Sequence, residues 1–137
     1  MSYPSPYDAL VVDDDPLVLM TLCMFLEELG FDCTSAQSGD EAAGMLAEIA
    51  PKTSMLVTDI DMPGTLDGIA LATKVSERYS WIDTVVVSGR VTPAKGELPD
   101  NATFLPKPFS MSMLERHLQL RLPVDKLPGG MRRSQDR

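Results

Sequence analysis

Positive charge is outweighed in this chain. Its 137 residues carry 12 Lys and Arg against 20 Asp and Glu, a formal charge of −8. Binding to duplex DNA needs a basic surface to meet the phosphates, so direct DNA contact is not expected. Cysteine occurs twice, at Cys23 and Cys33, with no paired-ligand spacing. That argues against a zinc site or a disulfide and for small apolar residues in a reducing compartment. The one histidine, His117, falls on the last predicted helix without the helical bundle a phosphate relay would need. No apolar run is long enough to cross a bilayer. The opening Met-Ser-Tyr-Pro-Ser-Pro has neither the basic flank nor the apolar stretch of a signal peptide. A cytoplasmic chain with no membrane contact is expected.

What remains is ordinary globular material, 44% apolar and 23% charged, of a length that suits one well-buried core. Four apolar runs stand out: Ala9-Leu10-Val11-Val12, Met55-Leu56-Val57-Thr58, Thr84-Val85-Val86-Val87 and Phe104-Leu105-Pro106. They are continuous rather than alternating, as strands covered on both faces are. Helices are expected between them. Pro16 opens the first and Gly30 ends it, while Ser38 with Glu41 three residues on is a capping box for the second. Such alternation predicts a doubly wound parallel sheet with helices on both faces. The expected strand order is 2-1-3-4-5, with the topological switch point between strands one and three.

Each run ends on a reactive or charged side chain: Asp13 and Asp14, Asp59, Ser88, and Lys107. Ligands bind at this carboxyl edge in open α/β folds. Carboxylates gathered there repel one another unless a cation sits among them, and oxygen ligands in a watery cleft suit Mg²⁺. Taken singly the motifs are weak. Asp13 to Asp15 before Pro16 cap a helix well, and Lys107-Pro108 is an ordinary turn signal. Their joint order is informative.

Four stretches in that order, Leu10-Val-Val-Asp-Asp-Asp-Pro16, Thr58-Asp-Ile-Asp-Met-Pro-Gly64, Val87-Ser-Gly89 and Phe104-Leu-Pro-Lys-Pro-Phe109, resemble the receiver domain of bacterial two-component response regulators. The resemblance runs from about Asp8 to about Leu122. It implies a non-enzymatic phosphoprotein, phosphorylated by a histidine kinase or phosphotransfer protein and acting on a downstream protein that the sequence does not name. Asp59 is the implied phosphoacceptor. Asp13, Asp14 and Asp59, with the Asp61 main-chain carbonyl, are the implied ligands of Mg²⁺, for which Mn²⁺ could substitute. Ser88 is the implied switch hydroxyl, Phe104 the switch aromatic, and Lys107 the phosphate counter-ion on a candidate cis Lys107-Pro108 bond. Asp61 and Arg90 flank the site mouth, where an ion pair between them is expected to control access of water. The resemblance marks an extension at 1–7 and a receiver at 8–122 standing alone; the tail at 123–137, with two prolines, two adjacent glycines and no periodicity, is expected to be mostly disordered.

Two alternatives stay open. Asp59-Ile60-Asp61 also looks like the Asp-x-Asp motif of haloacid-dehalogenase phosphohydrolases, although it lies late in a chain with little room for a cap. A pseudo-receiver that takes no phosphate is the other. Two departures from the family are expected to matter. Pro93, Gly96 and Pro99 leave room for little more than a turn where the family has a fourth helix. Helix one should bury Leu17, Val18, Thr21, Leu22, Phe25, Leu26 and Leu29, which leaves Leu19, Met20, Cys23 and Met24 as an apolar outer stripe. Such a stripe is a candidate surface for a kinase or a homodimer.

Overall fold

The computed structural model describes residues 7–131. It shows a five-stranded, all-parallel sheet of order β2-β1-β3-β4-β5, as expected. The strands are β1 (Asp8–Val12), β2 (Asp32–Ala36), β3 (Thr53–Asp59), β4 (Asp83–Ser88) and β5 (Ala102–Pro106). Four helices surround them: α1 (Pro16–Leu29), α2 (Gly39–Ile49), α3 (Gly68–Arg78) and α4 (Met111–Arg121).

Sequence signals set the helix ends. Asp15, not Asp13 or Asp14, caps α1 by accepting from the Leu17 amide, and Gly30 ends it at φ 109°. Ser38 Oγ accepts from the Glu41 amide, and the Glu41 carboxylate reaches back to the Gln37 amide. Alternation along each strand builds two cores. Ala9, Val11, Met55, Val57, Val85, Val87 and Leu105 pack with α1 and α4. Leu10, Val12 and Leu56 pack with α2 and α3 on the opposite face.

Between β4 and β5, residues 89–101 form no helix. Two short turns occur, closed by the Glu97 amide donating to the Ala94 carbonyl and the Ala102 amide donating to the Pro99 carbonyl. Prolines 93 and 99 remove amide donors and Gly96 sits at φ 84°, so a longer helix has no support. Leu98 and Phe104, both partly buried, pack on Ile60, Ala72 and Val86 in its place.

Three expectations need correction. In α1, Leu19 is buried with Leu22 and Leu26, whereas Leu17 is 69% exposed and Thr21 is also exposed. The helix is rotated from the expected phase because apolar residues on every side leave the burial angle to packing rather than pattern. The outer stripe is therefore Leu17, Met20 and Met24, with Cys23 half-buried and Leu19 inside.

The stretch from Pro123 is ordered as far as Met131, the last residue described. It makes short 3₁₀ turns at Val124–Lys126 and Gly129–Met131 and drives Leu127 and Met131 into the core beneath α1 and α4. Burial of these two apolar side chains offsets the chain entropy that its Pro and Gly content signalled. Residues 132–137 and 1–6 lie outside the described residues, and Tyr7 packs on the core.

The third correction concerns Asp61 and Arg90. Among the described residues they form no ion pair, and the Asp61 carboxylate faces Ser88 instead.

Candidate functional site

Strand register delivers the site. Val12 lies level with Thr58 and Asp59 level with Val87, so Asp13 and Asp59 emerge side by side at the ends of neighbouring strands. Ser88 pairs with Pro106, which puts Lys107 one step further on. Asp13, Asp59 and Lys107 share the alternation of Val11, Val57 and Leu105, hence the α1 side of the sheet.

The Lys107 ammonium donates to Asp13 Oδ2 at 3.1 Å and to Asp59 Oδ1 at 3.2 Å. Asp13 is 1% exposed and Asp59 7%, while Asp14 stands in solvent. Asp13 Oδ1 also accepts from the Asp15 amide at 2.9 Å, which fixes its rotamer. Burial raises the Asp59 pKa above the ordinary carboxylate value, Lys107 opposes that rise, and Asp13 adds to it. Burial works to lower the Lys107 pKa, but the hydrogen bonds and charges of Asp13 and Asp59 outweigh it and hold the ammonium above the usual lysine value. A buried carboxylate pair sharing one lysine is short of positive charge.

One carboxylate oxygen from each of Asp13, Asp14 and Asp59 lies within 4.8 Å of the others. An all-oxygen set of this kind, opening into a cleft of about 390 Å³ lined also by Asp61, Arg90 and Lys107, fits a hard divalent cation such as Mg²⁺. Binding there would supply the missing charge.

Ser88 shares the alternation of Val86 and so points to the opposite side from Asp59. Its Oγ accepts from the Arg90 and Val91 amides at 3.1 and 3.0 Å and faces Asp61 Oδ2 at 3.5 Å. Asp13, Asp14, Asp59 and Lys107 are thus brought together. Asp61 and Arg90 line the same cleft, Ser88 organises the turn beside it, and Phe104 packs farther away under Leu98.

Pattern reading overlooked the wall of the cleft. Gly68 lies against the Asp59 carbonyl so closely that a Cβ would stand 2.0 Å from it. Only glycine lets α3 start there. The turn after Asp59 is tied by Asp40, whose carboxylate accepts from the Thr65 amide and hydroxyl. The Lys107-Pro108 bond is cis, as expected. Beside it, an apolar groove of about 300 Å³ runs between Leu17, Thr21 and Phe25 of α1 and Pro108-Phe109. No helix among the described residues is long and apolar enough to cross a membrane.

The chain is similar to known proteins over most of its length. Residues 9–119 match the family model described as the response regulator receiver domain. The DNA-binding transcriptional regulator NtrC of Salmonella typhimurium is 32% identical over 104 residues, covering 74% of this chain and 22% of that protein. The sensor kinase CckA of Brucella abortus is 33% identical over 108 residues, 77% of this chain and 11% of that protein. The chain therefore spans about a fifth or less of the length of these curated relatives. Among solved structures, a response regulator receiver protein from Sinorhizobium medicae superposes with a TM-score of 0.71 at 30% identity, covering 78% of this chain and 86% of that one.

Proposed function

The chain belongs to the response regulator receiver domain family, and on that premise we propose that Asp59 takes a phosphoryl group from a histidine kinase or a phosphotransfer protein. The observation that carries the assignment is the Asp13–Lys107–Asp59 contact at the end of the central strand. An Asp59 carboxylate oxygen attacks phosphorus in line. The new O–P bond gives an acyl phosphate, the N–P bond to the donor imidazole breaks, and the electron pair leaves with the imidazole. The transition state is loose, so placement and electrostatics carry the catalysis.

Bound Mg²⁺ would supply charge neutralisation on the phosphoryl oxygens. Asp13 and Asp14 would hold it with Asp59 and the Asp61 carbonyl. Lys107, already hydrogen-bonded to the acceptor, keeps a mobile point charge where the new phosphate oxygens arrive. Ser88, close to the cleft and capping the Arg90 and Val91 amides, is the residue through which the start of the 89–101 segment would register the change.

The partner face is the outer stripe of α1, Leu17, Met20 and Met24, of which Leu17 lines the Pro108 groove, while its neighbour Val18 lines the cleft. A kinase or phosphotransfer helix is its reading, with self-association as the competitor. The net charge of −8 favours protein over nucleic acid as the target. We assign residues 8–131 to one functional unit acting in the cytoplasm.

Incubation with acetyl phosphate and Mg²⁺ tests this. One phosphate per chain, lost in Asp59→Asn, is the expected result; label retained by that variant overturns the assignment, and steady turnover points to a hydrolase. Met20→Glu combined with Met24→Glu should slow transfer from the kinase several-fold while leaving acetyl phosphate labelling unchanged.

A further inference from the structure

The turn Asp61-Met62-Pro63-Gly64-Thr65-Leu66 leaves β3 at the site and carries the Asp61 carbonyl; Met62 and Leu66 pack on the α2–α3 core, but few hydrogen bonds hold its backbone. Its hydrogen bonds to the rest of the described chain are the long Ser88–Asp61 contact at one end and two bonds from Thr65 to Asp40 at the other. The Thr65 amide donates to Asp40 Oδ2 at 3.1 Å and the Thr65 hydroxyl to Asp40 Oδ1. The fit is built from both sides. Gly64 sits at φ 103°, and a Cβ there would fall 2.6 Å from Asp40 Oδ2. Gly39, just before Asp40, lies where a Cβ would meet the Leu66 carbonyl at 2.4 Å. Two glycines thus let the amino end of α2 close on the turn, and the aspartate between them and Thr65 locks it. These bonds also hold the Asp40 carboxyl below the usual carboxylate range, the Thr65 hydroxyl contributing most.

We propose that Asp40 is a positioning residue for the metal site, holding the 61–66 turn through Thr65 so that the Asp61 main-chain carbonyl would be in place to help hold a bound cation. This rests on the Mg²⁺-dependent reading of the cleft. Asp40 touches neither phosphate nor metal. It acts by keeping one oxygen ligand preorganised, so the ordering cost is met on folding and not on binding.

The test is Mg²⁺ affinity by calorimetric titration of the full chain, with thermal unfolding recorded beside it. Asp40→Ala should weaken Mg²⁺ about threefold to tenfold, less than the roughly 10–100-fold seen when a direct partner of a metal ligand is removed. Asp40→Asn separates geometry from charge. Asn keeps an acceptor for the Thr65 amide and gains a donor for its hydroxyl, so it should bind Mg²⁺ nearly as well as the unaltered chain. Equal weakening by Asn and Ala would mean that only the negative charge matters and would overturn the proposal. Thr65→Val, which keeps the amide bond and loses the hydroxyl bond, should fall between them, and its effect should vanish in the Asp40→Ala background. Unchanged affinity in Asp40→Ala overturns the anchor alone. Failure of the unaltered chain to take up Mg²⁺ overturns the anchor and the functional reading together.

Discussion

At the carboxyl end of the sheet two buried carboxylates, Asp13 and Asp59, share a single lysine, whereas at the amino end the chain folds back and seals the same core with Leu127 and Met131. The first arrangement is electrostatically unfinished. Charge is gathered where water is partly excluded, and burial keeps the Asp59 pKa high. The second is complete. Pro128 abuts Gly30, Lys126 pairs with Asp83 at 2.7 Å and donates to the Trp81 carbonyl, and the Gln119 amide donates to the Met131 carbonyl. Local stability given up at a reactive site is recovered elsewhere in the fold, here at the opposite end of the sheet from the chemistry. The two ends should therefore respond independently to mutation.

The largest expected effect lies at the reactive end. Asp59→Asn should remove all acetyl phosphate labelling and, without Mg²⁺, make the protein more stable at neutral pH. The sign follows from the raised folded pKa. The stability linked to Asp59 is fully present below the unfolded value of 3.8 and is lost as pH rises through the folded value, so a neutral isostere escapes the loss. Denaturant unfolding at pH 7 checks this, and a less stable Asp59→Asn protein would break the contrast.

Next comes the sealed end. Leu127→Ala should cost about 2–5 kcal/mol in the same measurement, as for other fully buried leucines, with the stoichiometry of labelling unchanged. A fall in labelling of the folded variant would show the ends to be coupled. A smaller change is expected for Lys126→Met, which removes the Asp83 ion pair. Both partners are about a quarter exposed, so a loss of about 1 kcal/mol or less, shrinking with salt, is expected.

The smallest effect is a pH dependence near the amino end of β5, where His117 Nε2 meets Thr103 Oγ1 at 2.8 Å. Burial, then the nearby Arg121, lowers the His117 pKa from 6.5. The unfolded chain therefore takes up a proton first on acidification. Stability linked to this group is present above pH 6.5 and lost as pH falls from there through the lower folded value. His117→Gln should flatten that part of the unfolding profile, and an unchanged slope between pH 7 and 5 would assign it to other groups.

Much of this was written in the chain. Continuous apolar runs with helices between them specify a parallel sheet, because only strands covered on both faces lose the polar alternation. Pro16, Gly30 and Ser38 set helix ends by local hydrogen bonding, and prolines 93 and 99 with Gly96 oppose a helix between β4 and β5 for reasons contained in their own backbones. Asp13, Asp14, Asp59 and Lys107 were legible because each ends a strand, and a parallel register brings strand ends together.

Where no local rule applies, packing decided. The phase of α1 depends on which of its apolar faces fits the sheet, so Leu19 went inside and Leu17 outside. The segment after Leu122 has no periodicity to announce order, and its fold comes from packing Leu127 and Met131 with residues of α1 and α4 in the same core. Asp61 and Arg90 looked like partners by sequence position, but the turn brings Asp61 to Ser88. Asp40 and Thr65 are 25 residues apart and meet only because α2 and the turn after β3 converge on the same edge of the sheet. Sequence determined the elements and the strand-end chemistry, since those follow from neighbours along the chain; tertiary structure decided every contact that depends on how two finished surfaces meet.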